Sequence, residues 1–143
     1  MTKQLNETLP FLTRAYEGSK LTFNRGIERE GLRVDAQGKL VQTPHPAFLG
    51  SNLTHPTITT DFSESQLELI TPVCKTATEA LTHLRDVHRF VYSGLKDETI
   101  WSASMPCLLP TDSEIPLAQY GTSNLGRLKT TYRNGLNNRY GRA

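Results

Sequence analysis

The segment NRGIEREGLRV, residues 24–34, constrains the fold more than any other part of the chain. It is typical of a β-strand, and side chains two positions apart on a strand share one face. Glu28 and Glu30 are therefore expected roughly 7 Å apart on the same side. The opposite side is not an apolar core face, because it would carry Ile27, Arg29, Gly31 and Arg33. A strand that is polar on both sides is expected in a sheet that has one face lining a charged cavity. The spacing of the glutamates alone favours the alternative, a strand face exposed to solvent.

A second acidic group lies in DFSESQLELITP, residues 61–72. If this segment were a helix, Asp61, Glu64 and Glu68 would form one exposed stripe. Leu67 and Leu69, however, alternate with polar residues ahead of a Thr-Pro pair, which is typical of a strand. On such a strand Glu68 faces away from the two leucines.

Carboxylates gathered on one face repel one another unless a cation lies between them. Hard divalent ions such as Mg²⁺ take oxygen ligands, often one or two carboxylates each, with substrate phosphates completing the shell. The two acidic segments together predict a magnesium site, and an ordinary solvated surface stays open as the alternative.

Apolar periodicity predicts three helices. The first carries a helically spaced stripe made of Leu5, Leu9, Leu12 and Tyr16. The second begins at Thr76, which has capping-box spacing with Glu79, and ends near Gly94. The third begins at Ser123 or Asn124. Its buried side would consist of Leu125, Leu128, Tyr132 and Leu136.

Strands are predicted for residues 21–34 and 39–43 and, as one interrupted strand or two, for residues 58–72. The residues from Asp35 to Gly38 would form a hairpin turn, in which the glycine takes the positive φ that a short loop needs. Two His-Pro pairs between residues 44 and 56 mark a loop. Strands paired by a hairpin, with helices outside, predict an antiparallel α+β domain.

Composition narrows the function classes. The net charge of +2 argues against a dedicated polyanion-binding protein, although no acid follows Glu114 and the last segment carries Arg127, Lys129, Arg133, Arg139 and Arg142. Cys74 and Cys107 are too few for a secreted disulfide framework and indicate reduced, buried thiols. Without an apolar run of signal-peptide or membrane-spanning length, the sequence predicts a cytoplasmic protein.

The four histidines are not expected to bind metal. His45 and His55 each precede a proline in a loop, and His83 and His88 are five residues apart, off the i,i+4 spacing of a helical zinc pair. They are interpreted as surface or packing residues. Neither cysteine has a CxxC partner or an obvious base.

Four long motifs occur in the same order as in the bacterial glutamate–cysteine ligases, also called γ-glutamylcysteine synthetases. They are GIEREGLRV, ITTDFSESQLELITPV, WSASMPC and AQYGTSNLGRLKTTYRNGLNNRYG, at residues 26–34, 58–73, 101–107 and 118–141. The resemblance runs from about the first helix to the end of the chain. It is far more specific than an isolated Glu-x-Glu pair.

The resemblance implies an ATP-dependent carboxylate–amine ligase that performs the first step of glutathione biosynthesis. ATP phosphorylates the γ-carboxylate of L-glutamate, the amine of L-cysteine attacks the acyl phosphate, and γ-glutamylcysteine, ADP and phosphate are released. The implied fold is similar to that of glutamine synthetase, whose antiparallel sheet forms a funnel with acidic metal ligands inside. The expected class is therefore α+β, with a partial glutamine synthetase-like antiparallel sheet and flanking helices.

Carried over by motif, the ligands of Mg²⁺ or Mn²⁺ would be Glu28, Glu30, Asp61 and Glu68. Glu64 falls between the last two and is expected at the surface. Tyr132 and Arg133 match a family segment near the substrate pocket, where an arginine holds a carboxylate or phosphate through its forked donors. An equally weighted alternative has Tyr132 packing within its helix and Arg133 solvated.

Members of the family are several times longer than 143 residues. The resemblance therefore implies that residues 1–143 are the N-terminal part of a ligase catalytic domain, with weak activity or none alone. Its expected partners are L-glutamate, L-cysteine and ATP, without nucleic acid or membrane.

Three alternatives stay open. One is another carboxylate–amine ligase, and a second is a non-catalytic fragment that binds Mg²⁺ and nucleotide. The third is a small anion- or nucleic-acid-binding protein that uses the basic C-terminal helix, whose binding would depend steeply on salt.

Overall fold

A computed structural model describes residues 2–18 and 22–142 and shows three α-helices, two short 3₁₀-helices and four strands within them. The helices are α1 (Thr2–Glu17), α2 (Ala77–Gly94) and α3 (Asn124–Tyr140). The strands are β1 (Glu28–Val34), β2 (Ile58–Thr60), β3 (Gln66–Ile70) and β4 (Thr99–Ile100). All neighbouring strands are antiparallel, in the order β2–β3–β1–β4, which confirms the α+β class.

On one face of the sheet, apolar side chains of β2, β3 and β4 pack against α2. Leu67 and Leu69 of β3 are completely buried. They join Ile58, Ile100 and, from α2, Val91 in the main hydrophobic core. Burying each of these side chains contributes about 1.5–3 kcal/mol. The predicted interrupted strand over residues 58–72 is therefore two strands, β2 and β3, and the predicted alternation in β3 is confirmed.

Helix α2 begins and ends where the sequence predicts. The Thr76 hydroxyl accepts a hydrogen bond from the Glu79 N–H (3.1 Å), and the Glu79 carboxylate accepts one from the Lys75 N–H (2.9 Å). These caps satisfy amide groups that a helix leaves without partners at its N-terminus. The helix ends at Gly94, as predicted.

The least expected core residue is Arg33, whose side chain is fully buried near the end of β1. Its guanidinium forms an ion pair with Glu98 (2.6 Å) and donates to the carbonyl oxygens of Thr43, Pro44 and Glu64. A buried charge is tolerated only when it is paired and hydrogen-bonded. These contacts therefore fasten β1 to the loops on either side of it.

The predicted first hairpin is shorter than expected. β1 begins at Glu28, and residue 21, where the predicted strand starts, lies outside the described residues. The turn itself is present, since Gly38 has a φ of +75°. The return strand predicted for residues 39–43 is reduced to isolated bridges, because Lys39 pairs with Leu108 of a later loop and only Leu40 pairs with β1.

Helix α3 starts at the predicted cap, but of the four side chains expected on its buried side three are exposed and Leu136 is partly buried. Leu125, Leu128 and Tyr132 all keep more than half of their surface accessible, whereas Gly126 is buried. A Cβ atom on Gly126 would lie 2.2 Å from the Tyr120 carbonyl oxygen, so α3 packs through its glycine side.

Helix α1 forms where predicted, and its apolar stripe is exposed. The stripe consists of Leu5, Leu9, Leu12 and Tyr16. Among the helices of the described residues, none combines the length and hydropathy needed to span a bilayer.

Candidate functional site

Strand pairing brings the two acidic segments together on the sheet face opposite α2. Glu30 lies directly opposite Glu68 in the β1–β3 ladder, Glu28 is two residues away along β1, and Asp61 follows β2. The Cβ atoms of directly opposite residues in such a ladder are about 4.5–5.5 Å apart. We call these four residues the acidic patch.

Burial and the neighbouring carboxylates both act on Glu68. The pKa of Glu68 is raised above its ordinary value, first by burial and then by the charges of Asp61, Glu28 and Glu30, while Lys129 opposes the increase. The charged form of Glu68 is therefore destabilised in the folded protein. A cation bound nearby would relieve this cost.

Two members of the acidic patch are hydrogen-bonded by neighbouring side chains. The Gln66 amide donates to Glu30 Oε2 (2.6 Å), and the Arg133 guanidinium donates to Asp61 Oδ1 (2.6 Å). Within the described residues, Glu28 and Glu68 have neither a hydrogen-bond donor nor an ion-pair partner. They are the carboxylates most open to an added ligand.

Arg133 reaches the acidic patch because α3 packs closely against the chain that precedes it. The Tyr120 hydroxyl donates to the carbonyl oxygens of Thr60 (3.1 Å) and Asp61 (2.8 Å), and Gly126 lies against the Tyr120 backbone. Burial alone would lower the pKa of Arg133, but Tyr120 and Asp61 raise it by more. The guanidinium is therefore held charged beside the carboxylates.

Tyr132 lies beside Arg133 without joining the acidic patch. Its side chain is exposed, and its ring centroid lies 5.5 Å from the Arg133 guanidinium carbon. The structure thus brings Glu28, Glu30, Asp61, Glu68 and Arg133 together, and it leaves Tyr132 on the surface next to them. The alternative of a solvated Arg133 is wrong, because the residue is paired.

The expectation that Glu64 lies at the surface is wrong. Glu64 is buried, and its two carboxylate oxygens accept hydrogen bonds from the backbone N–H groups of His45 (2.9 Å) and Gln119 (2.7 Å). Because these partners are 19 and 55 residues away in the chain, no local pattern identifies them. Glu64 anchors the loops around the site instead of binding a ligand.

A cavity of about 310 Å³ opens beside Glu30. Glu30 and Gln66 contribute to its polar wall, and Trp101 and Met105 to its apolar wall. The loop that carries this apolar wall is held by two hydrogen bonds, one from the Trp101 indole to the Met105 carbonyl (2.7 Å) and one from the Trp101 N–H to the Leu32 carbonyl (2.8 Å). Sequence reasoning assigned neither Trp101 nor Met105 to the site, since only tertiary packing places this loop beside β1.

The donor set of the acidic patch fits hard divalent cations. Its four carboxylates face two cationic side chains, Lys129 and Arg133, so it carries excess negative charge. Among the described residues, no three of these carboxylates bring oxygen atoms within 4.8 Å of one another. The patch therefore fits ions that are each held by one or two carboxylates, which is how Mg²⁺ is bound in sites that also take substrate phosphates.

The fold and the site define a class of protein: an α+β domain whose antiparallel sheet presents a carboxylate-rich face to an arginine. A family model described as glutamate–cysteine ligase matches residues 11–143. The chain belongs to the glutamate–cysteine ligase family.

Individual relatives agree with this assignment. The chain is 60% identical over 119 residues to the glutamate–cysteine ligase of Saccharophagus degradans, covering 83% of this chain and 22% of that protein. It is 50% identical over 141 residues to the ligase of Alcanivorax borkumensis, covering 98% and 27%. The crystal structure of a glutamate–cysteine ligase from Francisella tularensis in complex with AMP superimposes with a TM-score of 0.78 at 41% identity, covering 85% of this chain and 26% of that one. The chain thus spans about a quarter of the length of these relatives.

Proposed function

We propose that this chain supplies the metal-binding sheet of an enzyme that joins L-cysteine to the γ-carboxylate of L-glutamate at the expense of ATP. The reaction passes through γ-glutamyl phosphate and yields γ-glutamylcysteine, ADP and phosphate, in the first step of glutathione biosynthesis. Family membership supports the reaction class. The nucleotide bound by the ligase of Francisella tularensis supports ATP as the phosphoryl donor.

The observation that carries this proposal is the convergence of four carboxylates on one sheet face. Glu28, Glu30, Asp61 and Glu68 come from two separate motifs, and burial together with the charges of the other three raises the pKa of Glu68. Such an arrangement costs stability in a domain that binds no cation. It is expected where divalent cations are held for catalysis.

In the proposed mechanism the acidic patch holds Mg²⁺ or Mn²⁺. When bound there, such ions would neutralise charge on ATP and glutamate and would stabilise the charge that develops in phosphoryl transfer. Glu30, held by Gln66, has a fixed orientation, whereas Glu28 and Glu68 have lone pairs open to an ion. Removing one of these carboxylates should therefore lower kcat more strongly than it lowers the stability of the fold.

Arg133 is the proposed anion contact of this site. Its forked donors are aimed at the acidic patch, and one of them is used by Asp61. A guanidinium at that position would hold a substrate carboxylate or phosphate next to the bound cations. Tyr132, exposed beside it, is the proposed second substrate contact.

The chain is further proposed to be the N-terminal part of a catalytic domain, residues 1–143, that works in the cytoplasm. Its four-stranded sheet would be one section of a larger funnel of the glutamine synthetase type, with the acidic patch on the inner face. Such a funnel would surround the substrates and exclude water from the acyl phosphate.

The test places this chain in a complete ligase. The matching segment of the Saccharophagus degradans enzyme is replaced by this chain, and ADP release is followed with glutamate, cysteine, ATP and Mg²⁺. Replacing any one carboxylate of the acidic patch by its amide is expected to lower kcat by about 100-fold or more. Asp97→Asn, at an exposed acid after α2, is the matched control and should keep the parent rate.

Two outcomes would contradict the proposal. A chimera that retains its rate without the acidic patch would show that these carboxylates hold no catalytic ion. A chimera that releases ADP equally well with other amines in place of cysteine would indicate a different carboxylate–amine ligase. The 143-residue chain alone is expected to bind Mg²⁺ with little or no ADP release.

A further inference from the structure

A second group of metal-ligating side chains lies where α2 begins, outside the acidic patch. The Cys74 thiol, the Glu79 carboxylate and the His83 imidazole each bring one ligand atom to within 4.8 Å of the others. No other three such residues in the described part of the chain come as close. The three share no member with the acidic patch.

Local structure explains why these three side chains meet. Cys74 is buried, and its backbone is fixed by two hydrogen bonds to Arg25, of 2.9 and 2.7 Å. Glu79 and His83 are four residues apart on α2, so they lie on the same side of the helix one turn apart. The first turns of α2 place that side over the thiol.

Within the described residues, few hydrogen bonds compete for the three donor groups. One oxygen of Glu79 accepts the Lys75 N–H, and its other oxygen has no hydrogen-bond donor among the described residues. The exposed His83 imidazole likewise has no hydrogen-bond partner within residues 2–18 and 22–142. Among the described residues, the Cys74 thiol has one hydrogen-bond partner, the Pro72 carbonyl oxygen (3.2 Å).

We propose that Cys74, Glu79 and His83 form a binding site for Zn²⁺, with water as the fourth ligand. Sulfur, nitrogen and carboxylate oxygen are the donors that tetrahedral zinc takes, with Zn–S of about 2.3 Å and Zn–N of about 2.0–2.1 Å. Mg²⁺ does not compete for such a site, since it prefers oxygen ligands alone. Glu79 and His83 are exposed, so their side chains can close the remaining distance around the ion.

Binding replaces a proton by the metal. The Cys74 S–H bond breaks, the proton goes to solvent, a sulfur–zinc bond forms, and zinc releases bound water molecules. In the metal-free protein the thiol is protonated at neutral pH, because burial and the nearby Glu79 charge raise its pKa. The bound ion would connect the first turns of α2 to the segment that follows β3.

The spacing of the histidines relative to one another does not predict this site, because its three ligands are different residue types. His83 and His88 have the wrong spacing for a helical pair, whereas Glu79 and His83 have the right one. The third ligand precedes the helix and is brought in by the turn at Thr76.

The test uses Co²⁺ as a spectroscopic probe for zinc sites, with the 143-residue chain and an excess of Mg²⁺ to occupy oxygen-only sites. The expected result is one Co²⁺ per chain with a sulfur-to-cobalt charge-transfer band that an equivalent of Zn²⁺ removes. Cys74→Ser should abolish the band, and Cys107→Ser, at the other buried cysteine, should keep it. Circular dichroism of each variant checks that the fold is retained.

A second pair of variants avoids the buried position. His83→Gln changes an exposed side chain and is expected to weaken Zn²⁺ binding by more than about tenfold, whereas His88→Gln on the same helix leaves it unchanged. The proposal is overturned if the charge-transfer band survives Cys74→Ser or if excess Co²⁺ produces no band. It is also overturned if both histidine variants lose the same amount of Zn²⁺ affinity. Neutralising the acidic patch should leave the band intact, so this result is independent of the proposed ligase function.

Discussion

Arg133 of α3 donates a 2.6 Å hydrogen bond to Asp61, the residue after β2, across 72 residues of sequence. The two side chains are only 16% and 30% exposed, so water and salt screen the pair less than an ordinary surface ion pair. The bond joins a proposed metal ligand to a proposed substrate contact. A change of charge at one of these residues should therefore alter binding at the other.

The first prediction concerns the effect of this arginine on cation binding. Arg133→Gln removes a positive charge that opposes a dication at the acidic patch, so the affinity of the 143-residue chain for Mg²⁺ should increase roughly fivefold. Isothermal titration calorimetry measures this change. Arg139→Gln, at an exposed arginine of the same helix, is the control and should have no effect. An unaltered Mg²⁺ affinity in Arg133→Gln would place the ion elsewhere.

The second prediction compares two glutamates four residues apart. Glu64→Gln should destabilise the fold by about 1.5–3 kcal/mol, because the buried carboxylate loses two charge-assisted hydrogen bonds. Glu68→Gln should raise the free energy of unfolding by roughly 0.2–1 kcal/mol without divalent cations, because it removes a like charge opposite Glu30. Urea unfolding measures both changes in the free energy of unfolding. Changes of the same sign would contradict a stabilising role for Glu64 and a repulsive role for Glu68.

The third prediction concerns the packing of α3. Gly126→Ala places a Cβ 2.2 Å from the Tyr120 carbonyl oxygen and should cost more than about 2 kcal/mol of stability. Gly135→Ala is the matched control, because a Cβ there contacts nothing within 4 Å. It should stabilise the helix by about 0.5–1 kcal/mol. Thermal unfolding distinguishes the two, and equal effects would show that α3 does not dock through Gly126.

The fourth prediction concerns the pH dependence of stability. Burial lowers the pKa of His45, with Glu64 opposing and Arg33 and His55 adding to the effect. Below an unfolded pKa of about 6.5, the unfolded chain therefore binds a proton that the folded protein does not, and stability falls as the pH decreases.

Urea unfolding at about pH 7.5 and about pH 5.5 checks this sign. His45→Gln should lose less stability than the parent chain over that interval. Gln42→Ala, at an exposed and non-titrating position of the same loop, should lose as much as the parent. A His45 variant with the full parental loss would mean that another group causes the pH dependence.

Local pattern was sufficient for the bounds of α2 and for the direction of the side chains on β1 and β3. The cap at Thr76, the end of α2 at Gly94 and the alternation of Leu67 with Glu68 depend on neighbours within a few residues, so the sequence predicts them correctly. For the same reason it places Glu28 and Glu30 on one strand face. The family motifs identified the chain's relatives because these motifs are long and occur in the same order along the chain.

Only the tertiary structure decided which charged residues stabilise the fold and which are open to a ligand. Arg33 is buried because Glu98 and distant carbonyl groups satisfy its charge, and Glu64 because two distant backbone N–H groups do. Cys74 meets His83 only when α2 folds back over it. Helix α3 packs through Gly126 because the Tyr120 backbone lies too close there for any larger side chain. The periodicity of apolar residues does not predict such a contact. The sequence by itself therefore determined the local geometry and the family of the chain. Long-range pairing determined which charged side chains stabilise the fold and which stay open to a ligand.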